Sequence, residues 1–125
     1  MSADEDRAAR YQELLTRQLA MNAQTWGVLQ ARGVSETTEL RLDFAYRAPN
    51  EDAAVVLRDL LRAETDYEVR ADSEGGRWSV IGRTQATAVS LTILDQWVDW
   101  MVSAGVQTGC EFDGWGTELD ANRPR

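Results

Sequence analysis

Tyr67-Glu68-Val69-Arg70-Ala71-Asp72-Ser73-Glu74-Gly75-Gly76-Arg77-Trp78-Ser79-Val80-Ile81-Gly82-Arg83 is the stretch on which the fold turns. Tyr67, Val69 and Ala71 alternate with Glu68, Arg70 and Asp72, the period of two that puts one face of a strand inside and the other in water. Ser73-Glu74-Gly75-Gly76 reads as a hairpin turn, because glycines supply the positive φ angles that tight turns require. Trp78–Arg83 is then the returning strand, with Trp78 and Val80 on its inner face.

On both sides of this hairpin the pattern changes to the helical period. Upstream, Ala53, Val56, Leu57, Leu60 and Leu61 form an apolar stripe on a helix running to about Ala63, capped by Asn50, with Glu51 and Asp52 favourable in its first turn. Downstream, a helix is expected from about Ala86 to Ala104. Leu91, Leu94, Trp97, Val98 and Met101 face inward, Asp95 and Asp99 lie outside, and Gly105 is the stop. Further out, Leu40, Leu42, Phe44 and Tyr46 alternate with Arg41, Asp43, Ala45 and Arg47 as one strand ended by Pro49. A last strand covers Gln107 to Phe112 and continues past Gly114 to Leu119, its glycines marking a bulge or bend. The order is β-α-β-β-α-β. With right-handed crossovers it gives an α+β, ferredoxin-like sandwich: a four-stranded antiparallel sheet with two helices on one face.

Residues 5–33 precede this core of 39–119 as an additional N-terminal helix. Leu15, Leu19, Asn22, Trp26 and Leu29 form its stripe, Gly33 ends it, and Gly27 is a possible break. It is free to cover an edge or the other face of the sheet. Residues 120–125 read as a frayed tail, so the whole of 1–125 is one domain.

Composition narrows the chemistry. The 125 residues are enough for one core that buries roughly two-thirds of the unfolded surface. No run approaches the ~18 apolar residues that cross a bilayer, the acidic N-terminus is unlike a signal peptide, and one cysteine permits no internal disulfide. A cytoplasmic, non-membrane protein is expected. Histidine is absent and all 13 basic residues are arginine, which removes the usual acid–base side chain and the lysine of Schiff-base and P-loop mechanisms.

The net charge of −8 is uneven: residues 63–125 hold eleven acids against five arginines. Between Arg83 and Arg123 lie Asp95, Asp99, Glu111, Asp113, Glu118 and Asp120 with no basic residue among them. Such a surface repels phosphate backbones and attracts a cationic protein. Asp95, Asp99, Glu111, Asp113, Trp115 and Glu118 are therefore the candidate partner-binding residues. Glu111, Asp113 and Glu118 are also the best carboxylate cluster for acid–base or metal chemistry, but no nucleophile, base or phosphate loop accompanies them. No catalytic residue, metal or cofactor is expected. Cys110 alternates with Phe112 into the core and fills space there. Trp26, Trp78 and Trp97 belong to apolar faces. Trp100 departs from its helix's stripe, and Trp115 is either a lid over the core or an exposed anchor.

At Glu111-Phe112-Asp113-Gly114-Trp115-Gly116-Thr117 the chain resembles the RraB family, whose members close their last strand with a similar aromatic-Asp-Gly-Trp-Gly segment. The likeness extends to Val28-Leu29-Gln30-Ala31-Arg32-Gly33, the strand at Leu40–Tyr46, the alanine-rich helix at Ala53–Leu61 and Tyr67-Glu68-Val69. It departs at Asp72–Gly76, where family members carry a longer acidic loop. The resemblance implies a ferredoxin-like domain that inhibits ribonuclease E by binding the nuclease rather than RNA, with Asp113, Gly114, Trp115 and Gly116 as its signature. The expected function is thus an acidic, protein-binding regulator of ribonuclease E or a related RNA-processing enzyme, a monomer or weak homodimer. The alternative is a self-associating structural or ligand-sensing module.

Overall fold

In the computed structural model, which describes residues 2–119, the hairpin forms as its sequence dictates. Glu68–Glu74 (β3) and Arg77–Arg83 (β4) pair antiparallel, joined by Gly75 and Gly76 at φ 59° and 80°. Both angles lie where only glycine is free of strain. Asp43–Ala48 (β2) pairs antiparallel with β4 on one side and with Glu111–Gly116 (β6) on the other, so the sheet order is β3-β4-β2-β6.

Helix α2 (Glu51–Glu64) links β2 to β3, and helix α3 (Leu91–Gln107) links β4 to β6. Each connection therefore passes over one intervening strand. Phe44, Tyr46, Val69, Val80 and Phe112 project from the sheet into one cluster with Ala54, Leu57 and Leu61 of α2 and Val98, Met101 and Val102 of α3. Each fully buried leucine, valine or methionine contributes about 1.5–3 kcal/mol of transfer free energy. The Tyr46 hydroxyl donates to the Met101 carbonyl at 2.7 Å, tying the central strand to α3.

Several boundaries differ from the sequence reading. The strand expected at Leu40–Tyr46 is split: Glu39–Leu40 (β1) pairs with Thr87–Ala88 (β5) in a separate two-stranded sheet, and β2 begins at Asp43. Thr84 makes the break. Its hydroxyl accepts from the Leu42 N–H at 3.0 Å and its N–H donates to the Leu42 carbonyl at 2.9 Å, where the strand changes partner. The alternation itself is right, since Leu40, Leu42, Phe44 and Tyr46 are all buried. Because Thr87 and Ala88 are strand, α3 begins only after Ser90, whose hydroxyl caps it by accepting from the Ile93 N–H at 3.2 Å. At the other end α3 runs through Gly105 to Gln107, and Gly109, at φ 80°, makes the reversal. Gly105 has a packing role: a Cβ there would lie 2.8 Å from the Tyr46 ring.

Helix α1 (Ala3–Ala31) is unbroken at Gly27 and capped by Ser2. It packs along α3 and the β6 edge, not on the outer face of the sheet. Its buried stripe is Leu14, Gln18, Asn22, Trp26 and Leu29, with Leu15 and Leu19 only half-buried. Trp26 and Leu29 join Val34, Leu40, Leu42, Val89 and Leu94 in a second cluster beneath the small sheet. The sheet's outer face shows Ala45, Arg47, Arg70, Asp72, Ser79, Ile81 and Arg83. The tail and Asp120 lie outside the described residues.

Candidate functional site

The carboxylates singled out by charge are distributed over three parts of the molecule, and most are engaged by their own chain. Asp95 and Asp99, four apart on α3, point into the seam with α1 and are half-buried there. Asp95 accepts from the Asn22 amide at 3.0 Å, and Asp99 accepts the Tyr11 hydroxyl. Glu111, at the start of β6, pairs with Arg10 of α1. Asp113 reaches the opposite way, to Arg47 on β2 at 3.0 Å. Glu118, in the coil after β6, adds to the negative field on Arg83, which is bonded to Asp43 at 2.6 Å. These pairs raise the Arg10 and Arg83 guanidinium pKa values, through Glu111 and Asp43 respectively. Among the described residues no group of three or more His, Cys, Asp or Glu side chains is placed to hold a metal ion.

The Asp113-Gly114-Trp115-Gly116 segment is a fold device. The β2–β6 register shifts between Ala45 and Tyr46, so Phe112 pairs with Tyr46 while Trp115 pairs with Phe44. This bulge, with Gly114 at φ 129°, turns both aromatic rings to the core although they are three residues apart. Trp115 packs edge-on against Trp97 with ring centroids 6.2 Å apart, and touches both apolar clusters. Its indole N–H donates to Asn22 Oδ1 at 2.8 Å. Of the two roles weighed for Trp115, lid and anchor, the geometry is that of a lid.

Cys110 is buried beside Phe112, and burial raises its thiol pKa, which keeps it protonated and weakly nucleophilic at neutral pH.

Exposed large apolar side chains stand on all three helices: Met21 and Val28, seven apart on α1, and further ones on α2 and α3. Val56 is 55 % exposed, Ile93 48 % and Trp100 42 %. Ile93 and Trp100 are seven apart and share one side of α3. Trp97, between them, is half-buried and is bonded through its indole N–H to Tyr67 Oη at 3.1 Å. Val56 lies one turn from Leu60 on α2, which is half-buried against the main cluster, as is Trp97. The exposed positions of α3 (Thr92, Ile93, Gln96, Trp100 and Gln107) include no charge. The exposed acids Asp52 and Glu64 on α2 and Asp66 after it form no ion pair among the described residues. Sequence reasoning placed Val56 inside and left Ile93 unassigned. The available signal was the 93/100 spacing, which an apolar face pointing away from the core produces as readily as one pointing into it.

Among the described residues the fold is α+β, built of three helices, a four-stranded antiparallel sheet and a small two-stranded one, and no described helix is long and apolar enough to cross a membrane. No family model matches the chain, and no curated protein matches it.

Proposed function

We propose that this chain is a non-catalytic, protein-binding regulator with a ferredoxin-like core, and that its partner presents a basic, apolar segment. The strand order β3-β4-β2-β6, with α2 and α3 on one face, supports the ferredoxin-like reading. The observation that carries the function is the exposed pair Ile93 and Trp100 on one side of α3, with the exposed acids Glu64 and Asp66 forming no ion pair among the described residues. Exposed apolar surface costs solubility, and tryptophan dominates interface energetics, so a pair of this kind fits a contact site. These carboxylates and the net charge of −8 favour a cationic partner and speed its encounter. The RraB resemblance points to ribonuclease E or a related RNA-processing enzyme. The acids that pair within the chain serve mainly to seat α1 and β6 in this reading.

Purified ribonuclease E, including its arginine-rich scaffold segments, is the partner to test by co-elution with the full chain, with and without ribonuclease treatment. Co-elution that survives the treatment and is lost in Trp100→Glu supports the reading. Binding that depends on RNA, or that is indifferent to Trp100, removes it.

A further inference from the structure

At the N-terminal end of α3, Ile93 of the exposed pair lines a cavity of about 330 Å³. Its floor is made of Leu42, Val89 and Leu94, all buried. Tyr67 and Trp97 form a wall, and Ile93 stands at the mouth. The polar fittings are few. Trp97 donates to Tyr67 Oη, which leaves the Tyr67 hydroxyl proton without an acceptor among the described residues. Burial raises the Tyr67 pKa, so that proton is retained at neutral pH. Gln85 Nε2 donates to the Asp66 carbonyl at 3.1 Å and fixes one side of the rim. The Asp66 carboxylate itself is exposed and forms no ion pair among the described residues, nor does Glu64 two positions earlier.

An apolar floor, one spare hydroxyl donor and a free carboxylate at the rim describe a receptor for an apolar group that carries a cation beside it. Because Ile93 lines the cavity and lies seven residues from Trp100 on the same side of α3, an occupant that covers both must continue along the helix. A partner's polypeptide segment meets that condition, whereas a free small ligand fills the cavity alone.

We propose that this cavity receives the anchor side chain of the partner segment, a single aromatic residue whose neighbouring lysine or arginine meets Asp66. This rests on the protein-binding reading above and adds to it the residue class that the partner must present.

Phenethylamine, which joins an aromatic ring to a cation, is the probe, with 2-phenylethanol and phenylacetate as neutral and anionic comparators. Each is titrated into the isotopically labelled full chain and followed by amide chemical shifts. Phenethylamine is expected to move Gln85, Thr87, Ile93 and Trp97, including the Trp97 indole. Phenylacetate should bind at least about fivefold more weakly, as follows from exchanging one exposed attraction for one repulsion at a few ångströms in water. Asp66→Asn should bring phenethylamine to the level of 2-phenylethanol. Ala86→Trp, an exposed substitution on the cavity lining, should abolish the shifts. Shifts scattered over the surface, equal affinity for the anion, or binding that survives both variants overturn the proposal, and the Asp66 variant keeps the test decisive should the tryptophan perturb folding. Partner capture separates the two levels: capture lost in Trp100→Glu but unchanged in Ala86→Trp overturns the anchor and leaves the docking reading standing. Probe binding with capture indifferent to Trp100 removes the docking reading while the cavity's preference for an aromatic cation stands.

Discussion

Trp115 and Asn22 are joined by a 2.8 Å hydrogen bond between residues 93 apart in sequence. Asn22 is fully buried and its own amide N–H donates a hydrogen bond to Asp95, so one side chain of α1 ties the last strand to the last helix. A buried polar residue at such a junction costs desolvation that apolar packing does not, and it returns specificity. Only one placement of α1 satisfies the indole, the amide and the carboxylate together. Tyr11 with Asp99 and Arg10 with Glu111 repeat the arrangement toward the N-terminal end of α1.

Asn22→Leu keeps the bulk and removes both bonds. Leaving the Trp115 indole N–H and Asp95 unpaired should cost about 1–3 kcal/mol. The loss should appear as a lower urea midpoint and as faster amide exchange concentrated in α1. Trp115→Phe removes one bond but strands a fully buried amide oxygen, and should cost about as much. If Asn22→Leu is neutral, the network does not hold α1 in place.

Two helical glycines separate packing from propensity. Gly27 is exposed with nothing within 4 Å of a Cβ, so Gly27→Ala should stabilise the protein by about 0.5–1 kcal/mol, the ordinary helix preference. Gly105 is buried, and a Cβ there meets the Tyr46 ring at 2.8 Å and the Cys110 carbonyl at 3.1 Å. Overpacking of this kind costs about 1–3 kcal/mol. Gly105→Ala should therefore destabilise in urea titration despite the better helix former, and a stabilised variant would refute the close approach of α3 to β2.

The same glycine shows where sequence reasoning stops. Alternation at Leu40–Tyr46 and at Tyr67–Ala71, the Gly75-Gly76 turn and the Asn50 cap are local signals, and each appears in the structure. Gly105 looked like a helix stop because a close approach to a tyrosine 59 positions earlier leaves no local trace. Ala86–Val89 continued the helical pattern because the competing strand partner, Glu39–Leu40, is likewise distant. The acids on α3 read as solvent-facing for an analogous reason, since nothing within α3 reveals that α1 covers that side. Trp100 was legible as an exception to its own helix's stripe, whereas the cavity, assembled from three separate segments, was not.

All three tyrosines have raised pKa values: Tyr11 through its bond to Asp99, Tyr46 and Tyr67 through burial. Cys110 is raised by burial as well. Each group is held in its neutral form by the fold, so the unfolded chain releases these protons at lower pH than the native one. Stability from this source is complete below the unfolded values of 9.0 for the thiol and 10.0 for tyrosine, and is lost as pH rises through the folded values. Tyrosinate absorbance should then rise steeply, together with loss of the near-ultraviolet dichroism. A gradual rise near pH 10 with the fold intact would show that the hydroxyls are free.

Charge and contact should divide cleanly between the two helix faces. Asp99→Asn weakens the acceptor of the Tyr11 hydroxyl, and Glu111→Gln removes the charge opposite Arg10. Both sites are partly exposed, so each variant should lose only about 0–1 kcal/mol, with α1 exchanging faster and partner capture unchanged once folding is allowed for. Trp100→Ala removes a large exposed ring that, among the described residues, makes no hydrogen bond and supports no buried cluster. Its folding stability should stay within about 0.5 kcal/mol of the native value, while its affinity for a basic partner falls by about 2 kcal/mol or more if Trp100 is a centre of the contact. Denaturation and capture measured on the same three variants decide the matter. The reverse pattern, with affinity following Asp99 and Glu111 and indifferent to Trp100, places the contact on the acidic seam instead.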